Sequence, residues 1–118
     1  DAVRDAIANA KTSGVQNARF YCADAGEFMV DMAESGEKVD VVIMEPPRAG
    51  SDEAFLSSVC RPSPEKLVYI SCNPETQARD LRYLTSHGWK VEFLQPVDMF
   101  PHTNHIENIA VLRKKQGE

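Results

Sequence analysis

Apolar residues recur at two different spacings along this chain, and the changes between them mark out its elements. Near the start, Val3, Ile7 and Ala10 fall on one face at helical spacing, with Gly14 placed to cap the end. Ala18 to Cys22 reads as a short strand that ends at Ala23-Asp24. Asp24 and Glu27 have capping-box spacing, with carboxylates in place of Ser or Thr, and open a helix carrying Phe28, Met29 and Met32. Ser35-Gly36 breaks that helix. Val39 to Met44 is a second strand, closed by Glu45-Pro46-Pro47-Arg48, because consecutive prolines cannot continue a ladder. A polar turn, Ala49-Gly50-Ser51, leads into a helix from about Asp52 to Val59 that Pro62 and Pro64 end.

Leu67 to Ile70 is a continuous apolar run with β-branched and aromatic members, which suits a strand buried on both faces of a parallel sheet. It stops at Cys72, and a helix start follows at once. Asn73 suits the N-cap, Pro74 the first helical position, and Glu75 puts negative charge in the first turn. Ala78, Leu81 and Leu84 then share a face, and Gly88 serves as the stop. Trp89 to Leu94 alternates apolar with polar as a half-solvated strand does. After a loop through Pro96 and Pro101, Ile106 to Leu112 makes a last strand before a charged tail. Strands alternating with helices predict an α/β fold with right-handed crossovers and a mostly parallel sheet; two closing strands without a helix between them predict an antiparallel hairpin at its edge. No start signal precedes the first helix, so the pattern predicts a chain that begins partway through a larger domain.

Composition narrows the class. With 118 residues, 42% hydrophobic and 26% charged, the chain suits one modest domain with a real core. There is no membrane-length apolar run and no signal-peptide pattern, which predicts a cytosolic protein without a membrane partner. Three scattered cysteines, Cys22, Cys60 and Cys72, without a CxxC pair predict reduced thiols rather than a disulfide framework or a zinc site. A net charge of −5 argues against a chain-wide nucleic-acid footprint but leaves room for a local one.

Three strand ends carry the chemistry: Asp24, Glu45 with its Pro46-Pro47-Arg48, and Cys72. In a parallel sheet they lie along one rim, where open α/β sheets place their ligands. A helix N-terminus favours an anion beside it, and thiolate is the nucleophilic form of cysteine. Buried structural cysteine is the alternative for Cys72, and helix capping alone is the alternative for Asp24. Acidic groups at such a rim can accept hydrogen bonds from ribose hydroxyls or an adenine amino group. His105 and Glu107 alternate onto one face of the last strand, but no further ligand set accompanies them, so no metal is predicted. Glu107, opening an otherwise apolar strand, suits a general base.

Three ordered segments, Glu45-Pro-Pro-Arg48, Tyr69 to Leu81 and Gln95 to Glu107, resemble the RNA uracil-5 methyltransferases. The resemblance runs through essentially all of the chain and implies a Rossmann-like class I methyltransferase fold that uses S-adenosylmethionine. It implies that Cys72 is the nucleophile, Glu107 the proton acceptor, and Asp24 and Glu45 contacts to the methyl donor. Pro46, Pro47, Arg48, Asn73, Arg79 and His105 are the matching positions expected to support or contact substrate. RNA is the implied partner, 23S ribosomal RNA ahead of transfer RNA from the long Gln95 to Glu107 run, with no DNA. Two departures accompany it: Glu45 stands where the family has Asp, and the six glycines are isolated, so no glycine-rich donor loop is present. That loop and an RNA-binding portion are expected upstream, making residues 1–118 the C-terminal part of the catalytic domain. Other readings of the same fold stay open: a methyltransferase acting on an amino group or on cytosine, or a non-catalytic interaction domain.

Overall fold

The computed structural model describes residues 2–47, 50–98 and 106–115. Its elements run α1 (Ala2–Thr12), α2 (Ala25–Glu34), β1 (Val41–Met44), α3 (Glu53–Cys60), β2 (Lys66–Ser71), α4 (Pro74–Thr85), β3 (Trp89–Val97) and β4 (Glu107–Lys114). The four strands form one sheet in the order β1-β2-β4-β3. β1 and β2 are parallel, and β4 is antiparallel to both of its neighbours. The closing hairpin is present as predicted, and its second strand lies inside the sheet, against β2.

Local chemistry accounts for the helix starts. The carboxylates of Asp24 and Asp52 accept the backbone N–H of Glu27 and Phe55, at 3.0 and 2.7 Å. The Asn73 side-chain oxygen accepts from Glu75 and Thr76 at 3.1 and 3.4 Å, with Pro74 opening the helix. Each cap satisfies donors that the first turn leaves without an intrahelical partner.

The core lies on one face of the sheet. Leu67 and Tyr69 of β2, Ala110 and Leu112 of β4, Leu56 and Val59 of α3, Leu84 of α4 and Trp89 of β3 are all buried there. Each fully buried leucine contributes about 1.5–3 kcal/mol relative to an exposed one. Val68 and Ile70 point to the opposite face and are only partly buried. Val68 lies between Ile43 and Val111, and Ile43 is 70% exposed. Burial of β2 on both faces, as its apolar run predicts, is therefore not what the described residues provide.

Three further expectations are corrected. Residues 18–22 form no strand: they are exposed, and β1 forms the sheet edge with no neighbour on its outer side among the described residues. The sheet is consequently mixed, with its parallel part confined to β1 and β2. On α4 the buried residues are Gln77, Asp80 and Leu84, whereas Ala78 is exposed, because two polar side chains find buried partners there. The loop expected at Pro96 is strand as far as Val97. β3 is an edge strand, where proline's missing N–H costs no ladder bond, and a bulge between Val91 and Phe93 breaks its alternation and leaves Phe93 and Leu94 half exposed.

Candidate active site

The parallel pairing of β1 and β2 puts their carboxyl ends on one rim, so Glu45 and Cys72 each follow directly on a strand end there. The antiparallel ladder between β2 and β4 ends at Ser71 opposite Asn108. Cys72 follows Ser71 and Glu107 precedes Asn108, so both lie just beyond that last pair; Glu107 opens β4 and is itself paired with Val97 of β3. Residues 35 positions apart in sequence are thus brought to the same end of the ladder.

Both groups suit chemistry. Cys72 is a partly buried free thiol next to the cap of α4. Glu107 is partly buried, and its Oε2 is buried without a hydrogen-bond partner among the described residues. A buried carboxylate oxygen without a partner among the described residues loses solvation without compensation there, and it can accept a proton or a ligand's hydrogen bond.

The acidic pair sits to one side. Glu45 and the adjoining Pro46 and Pro47 line a cavity of about 550 Å³ between α2, β1 and α3, together with Met29, Met44 and Phe55. Asp24 lines a neighbouring cavity of about 590 Å³. The two cavities share Ala25, Asp52 and Phe55, so they adjoin. Both carboxylate residues are exposed, and Oδ1 of Asp24 is engaged in capping α2. The strand predicted to carry Asp24 to the rim does not form, and the helix cap places it instead. An apolar cleft with carboxylates at its margin fits a nucleoside-bearing methyl donor: its walls can take the flat base and its acids the hydroxyl and amino donors.

The supporting positions divide. Asn73 is the cap of α4, and Arg79 donates from Nη2 to the Ser51 carbonyl at 3.0 Å while its Nε lies 3.4 Å from Asp80 Oδ1. Arg48 and His105 lie outside the described residues, as does most of the stretch before Glu107. Among the described residues, no three His, Cys, Asp or Glu side chains group in a way that could hold a metal ion. No helix among them is long and apolar enough to cross a membrane.

Sequence reasoning missed a buried polar cluster behind the rim. Tyr69 donates its hydroxyl to Asp80 Oδ2 at 2.5 Å, and the same oxygen accepts the Ser51 N–H at 3.0 Å. Burial, and next the adjacent Asp80 carboxylate, push the Tyr69 phenol well above its ordinary range, so it stays protonated and donates. Gln77 donates to the carbonyls of Tyr69 and Asn108, each at 3.2 Å, tying α4 to both strands. The signal was present in the spacing: positions 77, 80 and 84 share a helical face, two of them polar.

The family profile described as tRNA (Uracil-5-)-methyltransferase matches residues 3–115. An RNA methyltransferase of Halalkalibacterium halodurans, named as uncharacterized, is 45% identical over 98% of this chain and 25% of its own length. A second, from Geobacter sulfurreducens, is 46% identical over 97% of this chain and 23% of its length. The chain thus spans about a quarter of the curated relatives it matches. The Pyrococcus abyssi tRNA (uracil-54, C5)-methyltransferase, solved with S-adenosyl-L-homocysteine, superposes with a TM-score of 0.75. It is 35% identical and covers 94% of this chain, which covers 26% of it. M1.HpyAVI with SAM matches at a TM-score of 0.63 and 19% identity over 83% of this chain and 55% of its own, a likeness of fold alone.

Sheet order, helix placement and rim define part of a class I S-adenosylmethionine-dependent methyltransferase fold. Within that class, the chain belongs to the tRNA (uracil-5-)-methyltransferase family.

Proposed function

We propose that the protein carrying this chain methylates C5 of uridine in RNA, with Cys72 as nucleophile and Glu107 as proton acceptor. The observation that supports this best is that both residues lie just beyond the last pair of the β2–β4 ladder, with Glu107 Oε2 buried and unpaired among the described residues. S-adenosylmethionine is the methyl donor, held along the cleft by Glu45 and Asp24. Bound there, it supplies an electrophilic methyl group.

The residues divide the work as the chemistry demands. C5 of uracil is a weak nucleophile until the Cys72 thiolate adds at C6. That addition forms the Sγ–C6 bond and pushes the ring's electron pair to C5, which would then bond to the donor's methyl carbon as the sulfur–methyl bond breaks and its electron pair leaves with sulfur as the thioether S-adenosylhomocysteine. Glu107 takes the remaining C5 proton; the electron pair of that C–H bond re-forms the C5–C6 double bond and expels the thiolate. Neither step needs a metal or a redox partner. A methyltransferase acting on an amino nitrogen needs no cysteine adduct, so the Cys72–Glu107 pair favours the uracil reading over it.

The finer reading of substrate is 23S ribosomal RNA, which rests on the length of the Gln95–Glu107 run. The family description and the archaeal neighbour both name tRNA, so both RNAs belong in the test. The native protein containing this chain is incubated with unmodified ribosomal RNA or transfer RNA and donor, and the RNA is digested to nucleosides for mass spectrometry. Appearance of 5-methyluridine in ribosomal RNA supports the full reading. Its appearance in transfer RNA alone keeps the reaction and corrects the substrate. Methylated amino groups or 5-methylcytidine in place of 5-methyluridine overturn the proposal.

A further inference from the structure

We propose that Asp80 is a positioning residue for the donor side of the site: its buried carboxylate fastens the loop that walls the cleft beside Glu45 to the strand and helix that lead to Cys72. This rests on the functional reading above for the identity of the donor.

The geometry behind it is a backbone clamp. Ser51 follows Gly50, whose N–H donates to the Pro47 carbonyl at 2.8 Å, and Gly50 and Ser51 both line the cleft with Glu45, Pro46 and Pro47. Both backbone groups of Ser51 are held by neighbouring side chains of α4: its N–H by Asp80 Oδ2 at 3.0 Å, its carbonyl by Arg79 Nη2 at 3.0 Å. Asp80 Oδ2 also accepts from Tyr69, which lies three residues before Cys72 on β2. One carboxylate oxygen therefore joins the cleft wall to the nucleophile's strand.

Gly50 gives independent support. Its φ is +82°, and a Cβ there would lie 2.6 Å from Arg79 Nη2, 2.9 Å from Thr76 Cβ and 3.2 Å from Asp80 Oδ2. The loop thus approaches α4 more closely than any side chain permits. Asp80 is 2% exposed, and fold stability alone gives little reason to bury a carboxylate, since well-packed apolar residues in place of buried charged groups are often neutral or stabilising. What an apolar residue could not do is hold a particular backbone N–H at a particular place. A wall placed this way presents Glu45 and the two prolines to the donor without reorganisation on binding.

The test uses the native protein containing this chain, with Asp80→Asn and Gly50→Ala. The amide keeps the volume but loses the charge, and its NH2 group must face either the Arg79 guanidinium or the Ser51 N–H. Calorimetry with S-adenosylmethionine reads donor affinity, filter binding reads RNA affinity, and circular dichroism reads the fold. The expected result is a loss of about tenfold in donor affinity in both variants, with RNA affinity within about twofold of the unaltered protein. A natively folded Asp80→Asn with donor affinity within about twofold overturns the proposal, as do donor and RNA affinities that fall in parallel. Should Asp80→Asn not fold, Gly50→Ala decides by the same criteria, because it displaces the loop without removing a core group. Unaltered protein that binds no S-adenosylmethionine overturns the functional reading itself, a result that no variant is needed to recognise.

Discussion

The two sides of the candidate site are built to different standards. The nucleophile side, made by β2, β4 and α4, stands on fully buried Leu67, Tyr69, Leu84, Ala110 and Leu112 and on a ladder that runs to the rim. The donor side stands on α2, β1 and α3: α3 adds Leu56 and Val59 to the core, but α2 has no buried residues, and on the strand Val41 is 47% and Ile43 70% exposed while Met44 is buried. The proposed covalent mechanism accounts for the difference. A thiolate and a base must meet one ring at fixed distances, so they need a rigid support, whereas a donor cleft can gain its walls from more of the protein. Relatives about four times as long as this chain have the material for those walls.

The comparison can be tested from its strongest consequence down. Cys72→Ala in the native protein removes the covalent step, and methyl transfer measured with radiolabelled donor is expected to fall by about 10⁴-fold or more. Glu107→Gln keeps the shape but not the base. It is expected to slow turnover by about 10²–10⁴-fold while an RNA–protein adduct builds up on a denaturing gel, which separates elimination from addition.

Stability should follow burial. Leu112→Ala, in the core behind the nucleophile, is expected to cost about 2–5 kcal/mol in denaturant unfolding. Ile7→Ala, 47% exposed on α1, is expected to cost under about 0.5 kcal/mol in the isolated chain. A larger loss at Ile7 in the native protein than in the isolated chain would locate the cover of that helix in the rest of the protein.

The smallest effect concerns Cys60. Burial pushes its thiol up, with the Trp89 N–H and Lys114 pulling partly back. Exposed Cys22 should therefore be alkylated before Cys60 near neutral pH, as mass spectrometry would show. Above the ordinary thiol range the unfolded chain gives up this proton before the folded one. Cys60 accordingly stabilises the fold below that range, and the contribution is lost as pH rises through it.

The pattern of apolar spacing was enough to place most of these elements, and to mark Cys72 and Glu107 as residues at strand ends. Helix starts at Asp24, about Asp52 and Asn73 were legible because capping is local. What was not legible depended on distant partners. Residues 18–22 have a strand's composition, but a strand exists only when it pairs with a neighbour, and the outer edge of β1 stands unpaired among the described residues. Asp80 and Gln77 look like solvent-facing positions until Tyr69, Ser51 and Asn108 are brought beside them. The placement of Cys72 and Glu107 at one end of the β2–β4 ladder required knowing that β4 inserts next to β2, which no spacing within either strand encodes.

The central claim is that Cys72 and Glu107 act on one uracil ring, and a trapped adduct tests it most directly. Native protein is incubated with S-adenosylmethionine and RNA in which uridine is replaced by 5-fluorouridine, then digested and mapped by mass spectrometry. Fluorine at C5 leaves Glu107 no proton to remove, so the thiolate cannot be expelled. A methylated fluorouracil adduct on the peptide containing Cys72, absent in Cys72→Ala, is the predicted result. Donor binding without any adduct, or an adduct mapped to Cys22 or Cys60, would contradict it.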